Sequence, residues 1–134
     1  MKFKLAAAAI SLLLLSACTR NLDNNNTSNI ATAGTWRVTL FTDSGNDETS
    51  DFAGYSFSFG NNGTLTATKN GTSQNGTWST SSGRFIINLG PKVDTNKPLG
   101  ELTDDWKIIS TSDAEIKLTD DNPSSAEFLT FTKN

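Results

Sequence analysis

Residues 55–80 read YSFSFGNNGTLTATKNGTSQNGTWST, and this stretch decides the fold. Tyr55, Phe57 and Phe59 alternate with Ser56 and Ser58, so an extended segment here has one aromatic and one polar face. A period of two is the mark of a half-buried β-strand. Gly60-Asn61-Asn62-Gly63 interrupts the run with turn residues, and Leu65-Thr66-Ala67-Thr68 resumes it. Asn70-Gly71 is a type I′ hairpin signal, because both central residues of that turn need positive φ. It leads into a strand at 73–80 that carries Trp78. Strands joined this tightly form an antiparallel meander.

The pattern continues in both directions. Upstream, Trp36, Val38 and Leu40 alternate with Arg37, Thr39 and Phe41, which predicts a first strand at 34–42 with Trp36 inside and Arg37 outside. Downstream, Ser82-Gly83 turns into Phe85–Leu89. Beyond a loop at 90–104 come Trp106–Ser110, Glu115–Thr119, an Asp120-Asp121-Asn122-Pro123 turn, and Phe128–Thr132. No segment after Gly34 has helical apolar spacing. The expectation is an all-β domain: an eight-stranded antiparallel up-and-down β-barrel, since closure removes exposed edges. Alternation places Trp36, Phe57, Phe59, Trp78, Phe85, Ile87, Trp106 and Phe131 inside, with Leu65, Leu89, Ile108, Ile116, Leu118 and Leu129. An eight-stranded barrel is either filled by such side chains or holds one small ligand, so these residues line a cavity or form a solid core.

The N-terminus has a different grammar. Lys2 and Lys4 precede an apolar run from Leu5 to Leu15, interrupted only by Ser11, and small residues Ser16-Ala17 follow. This is the layout of a secretory signal peptide, with an apolar run too short to span a bilayer. Leu15-Ser16-Ala17-Cys18 resembles the lipobox of bacterial lipoproteins, in which a cysteine thiol accepts a diacylglyceryl group after small residues that fit the peptidase. Two or three acyl chains make a stable anchor where one is marginal. Residues 19–33 (TRNLDNNNTSNIATA) are polar and aperiodic and read as a flexible tether. The expected organisation is therefore 1–17 signal peptide, 18–33 lipidated Cys18 and tether, and 34–134 barrel.

Composition excludes several functions. There is no His, so no His-based triad, base or metal ligand exists. Cys18 is the lone cysteine, which rules out an internal disulfide and, once acylated, a thiolate nucleophile. Without Lys2 and Lys4 the chain carries 9 Lys and Arg against 14 Asp and Glu, a net of −5. No basic patch is evident, so nucleic acid is not an expected partner.

The remaining candidates are acidic or lie in loops. Asp43, Asp47, Glu48 and Asp51 cluster between the first two strands, but lack the ligand spacing of an EF-hand, and read as a solvated loop. Asp104-Asp105 and Asp120-Asp121 read as turn and strand-end residues. The loop at 90–104 (GPKVDTNKPLGELTD) exceeds hairpin length; it is either a lid or a crossover packed over a barrel end, where Leu99 and Leu102 would act as plugs. Arg37 and Arg84 are the cations considered for a ligand carboxylate, although Arg37 alternates outward.

Gly34-Thr35-Trp36, opening the first strand, resembles the Gly-x-Trp signature of lipocalins. The run GTWRVTLFTDSGNDETSDFAGYSFSF at 34–59, then NNGTLTATKNG, a second GTW at 76–78, LTDDWKIIS and EFLTFTK, resembles the lipocalin-like lipoproteins of Bacteroidota. That resemblance implies a lipocalin-like, calycin-like barrel and an envelope location. The domain is shorter than typical secreted lipocalins and lacks their C-terminal helix and later motifs.

The sequence thus points to a non-catalytic binding module of the cell envelope, anchored through Cys18 at the outer membrane, read as a monomer and taking a small apolar ligand. The rival is a filled barrel that contacts another envelope protein, an inhibitor target or a glycan through its loops. A carboxylate-dependent enzyme ranks third. No catalytic residue, metal site or cofactor is expected.

Overall fold

The computed structural model describes residues 24–134. Cys18, the signal sequence and residues 19–23 lie outside the described part. Nine strands follow in order: β1 (Thr35–Asp43), β2 (Asn46–Asp47), β3 (Ser56–Phe59), β4 (Thr64–Lys69), β5 (Thr72–Ser81), β6 (Arg84–Asn88), β7 (Asp104–Thr111), β8 (Glu115–Thr119) and β9 (Phe128–Lys133). All pair antiparallel in the order β2-β1-β3-β4-β5-β6-β7-β8-β9, and β1 also pairs with β9. Strands β1 and β3–β9 therefore close an eight-stranded up-and-down barrel. β2 is a two-residue ribbon folded back on the end of β1, with Thr42 opposite Asp47.

The turns follow from their residues. At Asn70-Gly71 the φ values are 51° and 77°, and at Ser82-Gly83 they are 50° and 78°. Both central residues thus lie in the left-handed region, as type I′ hairpins demand, and glycine takes the second position without steric cost. The resulting register lines apolar residues up around the inside: Trp36 opposite Phe57, Leu65 opposite Gly76, Trp78 opposite Ile87, Phe85 opposite Trp106, and Ile116 opposite Phe131.

Two expectations need correction. The first strand does not alternate evenly to its end. A β-bulge between Val38 and Leu40 inserts one residue against β9, so Val38 is buried, Leu40 turns out to 36% exposure, and Phe41 turns in to 1%. A one-residue slip exchanges the faces of every residue beyond it. Phe41 then packs edge-to-face on Phe52 at 5.1 Å, extending the core under the following loop.

The second correction concerns the tether. Asn24–Thr32 is not aperiodic chain but a helix, α1. Thr27, Ile30 and Ala31, at i, i+3 and i+4, are buried together. A nine-residue helix rich in Asn and Thr is too short and too poor in helix formers to persist alone, so packing holds it. The indole Nε1 of Trp36 donates to the Ala31 carbonyl at 2.9 Å, and the Ser28 and Thr80 hydroxyls meet at 2.9 Å. α1 leads into the start of β1 and so covers the barrel end where β1 begins.

Candidate functional site

The eight residues named as cavity or core lining are buried. Trp36, Phe57, Phe85, Trp106 and Phe131 are 0% exposed, Ile87 1%, Phe59 2% and Trp78 7%. Phe59 sits among rings, with centroids 5.4 Å from Trp78, 5.3 Å from Phe85 and 5.4 Å from Phe131, all near perpendicular. Trp78 stacks on Phe85 at 5.5 Å, and Phe57 meets Phe131 at 5.3 Å. These are contact distances for aromatic pairs, and they put side chains, not open space, in the middle of the barrel.

Polar, open surface gathers at the other end from α1, where the connections at 44–55, 90–103 and 120–127 come together. The 90–103 segment is not a lid. Leu99 and Leu102 are 5% and 0% exposed, plugging this end. Trp106 Nε1 donates to the Leu102 carbonyl at 2.9 Å. The Asn96 amide donates to the Leu89 and Pro91 carbonyls at 3.0 and 2.9 Å, and Gln74 Nε2 donates to the Leu89 carbonyl and to Asn96 Oδ1 at 2.9 and 3.0 Å. Thr103 Oγ1 accepts from the Leu89 amide at 2.9 Å and donates to the Gly90 carbonyl at 2.6 Å. A loop so thoroughly bonded to β5 and β6 is a crossover packed across the barrel mouth.

Over this floor lies a cleft of about 310 Å³ lined by Phe41, Asp43, Lys92, Asp94, Lys97, Glu101 and Glu127. A second, of about 260 Å³, shares Glu127 and runs past Lys107, Asp120, Asp121 and Phe128. Lys92 pairs with Asp104 at 3.1 Å, and Lys97 pairs with Asp94 at 3.2 Å and Glu101 at 3.7 Å.

Two groups of three carboxylates converge here, each with oxygens within 4.8 Å of one another: Glu48, Asp51 and Glu101, and Asp104, Asp120 and Glu127. Both are places where a metal ion would find oxygen ligands. Burial, reinforced by Glu48, raises the Glu101 carboxyl, and its Oε2 is buried with no hydrogen-bond partner. Glu127 is 9% exposed, and none of its described contacts is a hydrogen bond or ion pair to its carboxylate. Burial pushes it up to about 7; Lys92 opposes the shift, while Asp104, Asp43 and Asp120 add to it.

The acidic cluster at 43–51 is divided by the fold. Asp47 Oδ1 accepts from the Thr49 hydroxyl at 2.6 Å and from its amide at 3.0 Å, which hold the exposed carboxyl below its usual range. Glu48 and Asp51 turn toward Glu101, and Asp43 joins the cleft. Asp104 and Asp120 do sit at strand ends as their residue type suggests, but the barrel brings them together. Arg37 donates to the Lys133 carbonyl at 2.9 Å, and Arg84 pairs with Asp121, so both cations are engaged within the chain. Glu101 and Glu127 carry no sequence signal of their own: neither sits in a motif, and only the approach of distant loops makes them neighbours.

No family model matches the chain, and no curated protein matches it. Among solved structures it is similar to a DUF4847 family protein from Bacteroides vulgatus ATCC 8482, with a TM-score of 0.58 over 81% of this chain and 97% of the other, at 16% identity. At that identity the likeness is one of fold: both chains are β-barrels of the same design.

Proposed function

We propose that this chain is a non-catalytic interaction module of the bacterial cell envelope, lipid-anchored through Cys18 at the outer membrane, in which a filled lipocalin-like barrel presents its loop end to another envelope protein. The observation that carries the reading is the packed interior: aromatic rings at 5.3–5.5 Å occupy the volume a ligand-binding barrel keeps open. The surface supports it too. The clefts at the loop end mix Lys92 and Lys97 with Asp43, Asp94 and Glu101, a two-signed pattern suited to a charged protein face. Cys18 precedes α1 by six residues in sequence, and α1 covers the barrel end away from the loop clefts.

A photoactivatable crosslinker in place of Asp94, whose side chain is 94% exposed, tests this in cells. The expected result is a discrete adduct with one envelope protein, absent when the crosslinker replaces exposed Asp113 at the opposite end. An adduct with glycan alone, or equal labelling from both positions, would defeat the reading. So would displaceable binding of a fluorescent fatty acid by the purified protein at micromolar levels, which would restore the apolar-ligand barrel.

A further inference from the structure

We infer that the barrel mouth between β3, β4 and β5 holds a binding site for an acidic sugar ring, a hexuronic acid. Phe57, Ala67 and Gln74 stand side by side on these three strands and share the inward face. Two residues nearer the loop end, the same face carries Tyr55, Lys69 and Thr72, with Lys69 opposite Thr72 and the Tyr55 ring 6.2 Å from that of Phe57. Rings fill the barrel below this level. At its rim the row meets a small residue, Ala67, and a cleft of about 260 Å³ opens over it. Ala67 and Leu99 of the crossover, 1% and 5% exposed, form the apolar floor.

The lining selects the ligand. Lys69 is its sole charged residue, whereas the two clefts beside Glu127 are lined with carboxylates. Its ammonium pairs with no acid among the described residues and lies over the Tyr55 ring, 5.0 Å from the centroid. A Cβ on Gly54 would come within 3.6 Å of Lys69 Cε, so the half-buried stem is held while the charged head stays free to meet an anion. Gln74 is preorganised: its amide nitrogen donates to the Leu89 carbonyl and to Asn96 Oδ1, which leaves Oε1 as a fixed acceptor. The Tyr55 hydroxyl and the Asn70 and Thr72 side chains make no hydrogen bond to a described residue, and add both donors and acceptors. A ring with several hydroxyls and one carboxylate matches this set. Its hydroxyls donate and accept, its carboxylate pairs with Lys69, and its C–H face covers Ala67 and Leu99. An amino acid would bring an ammonium that no lining carboxylate receives. A fatty acid would bring a chain too long for a cleft below the roughly 300–1,000 Å³ of drug-sized pockets. The inference stands apart from the protein partner proposed above, whose test reads an adduct at Asp94 and not a sugar on the purified chain.

The test uses the full chain extracted from membranes in detergent, with sodium glucuronate as the probe and saturation-transfer NMR on the sugar protons as the readout, against detergent alone. At ordinary ligand efficiency its roughly 13 non-hydrogen atoms give a Kd of about 1 mM. Glucose, which lacks the carboxylate, should bind roughly tenfold more weakly, the loss of one charge-assisted contact. Sodium acetate at the same concentration should not displace glucuronate. Lys69→Met should lower glucuronate to the level of glucose, and Ala67→Leu, which fills the floor, should abolish both. Should Ala67→Leu fail to fold, Lys69→Met at the rim, with its Tm unchanged, decides alone. Asp94→Asn, in the neighbouring cleft, should alter nothing. The methyl glycoside of glucuronate distinguishes the sources of this ring: equal binding assigns the end of a glycan, and loss assigns the free sugar. No transfer to glucuronate, equal transfer to glucose, displacement by acetate, or full glucuronate binding in Lys69→Met would each overturn the site.

Discussion

Glu127 is the residue whose ionisation the fold resists most clearly. Its folded carboxyl is pushed up to about 7 from 4.5, chiefly by burial, with Asp104, Asp43 and Asp120 reinforcing the shift against Lys92. Between those values the folded state binds a proton that the unfolded state has lost. The stabilisation is therefore complete below about pH 4.5 and disappears as pH rises through 7. The difference corresponds to roughly 3 kcal/mol at about 1.4 kcal/mol per pH unit. Denaturation of the wild type without divalent ions should show stability falling from pH 5 to 8. Glu127→Gln, neutral throughout, should fall less and exceed the wild type at the alkaline end; matching profiles would mean that Glu127 ionises in the fold without cost. Glu101, raised by burial and by Glu48, acts in the same direction.

The first strand and the helix before it are coupled through one indole. Trp36 is fully buried, packs opposite Phe57 and holds α1 through the Ala31 carbonyl. Trp36→Ala should cost about 3–5 kcal/mol in chemical denaturation, the usual loss for a large buried aromatic. A loss below about 1 kcal/mol would place the side chain at the surface. Trp36 was legible because its alternation with Arg37 and Val38 is undisturbed. Phe41 was not, because the bulge before it depends on how β1 meets β9, and no local residue announces the slip. α1 was missed for a related reason. Of its buried face only Ile30 is strongly apolar; Thr27 and Ala31 take part because they are small enough to fit against the barrel.

At the scale of the molecule, the barrel is closed at one end by α1 and at the other by Leu99 and Leu102, and its polar clefts lie over the second closure. The proposed anchor would tie the first end to the membrane. Intact mass of protein extracted from membranes should exceed the peptide beginning at Cys18 by at least a diacylglyceryl group, and Cys18→Ala should move the protein to the soluble fraction. An unlipidated chain cleaved elsewhere would contradict this. The sequence by itself determined the eight barrel strands, their antiparallel order and most of the residues inside, because a period of two and tight-turn residues act locally along the chain. Whether the inside is hollow or filled was decided only by the tertiary structure, since that depends on how rings from β3, β5, β6 and β9 meet across the barrel. The carboxylate grouping is likewise tertiary: Asp104, Asp120 and Glu127 are far enough apart in sequence that only the pairing of β7, β8 and β9 makes their charges neighbours.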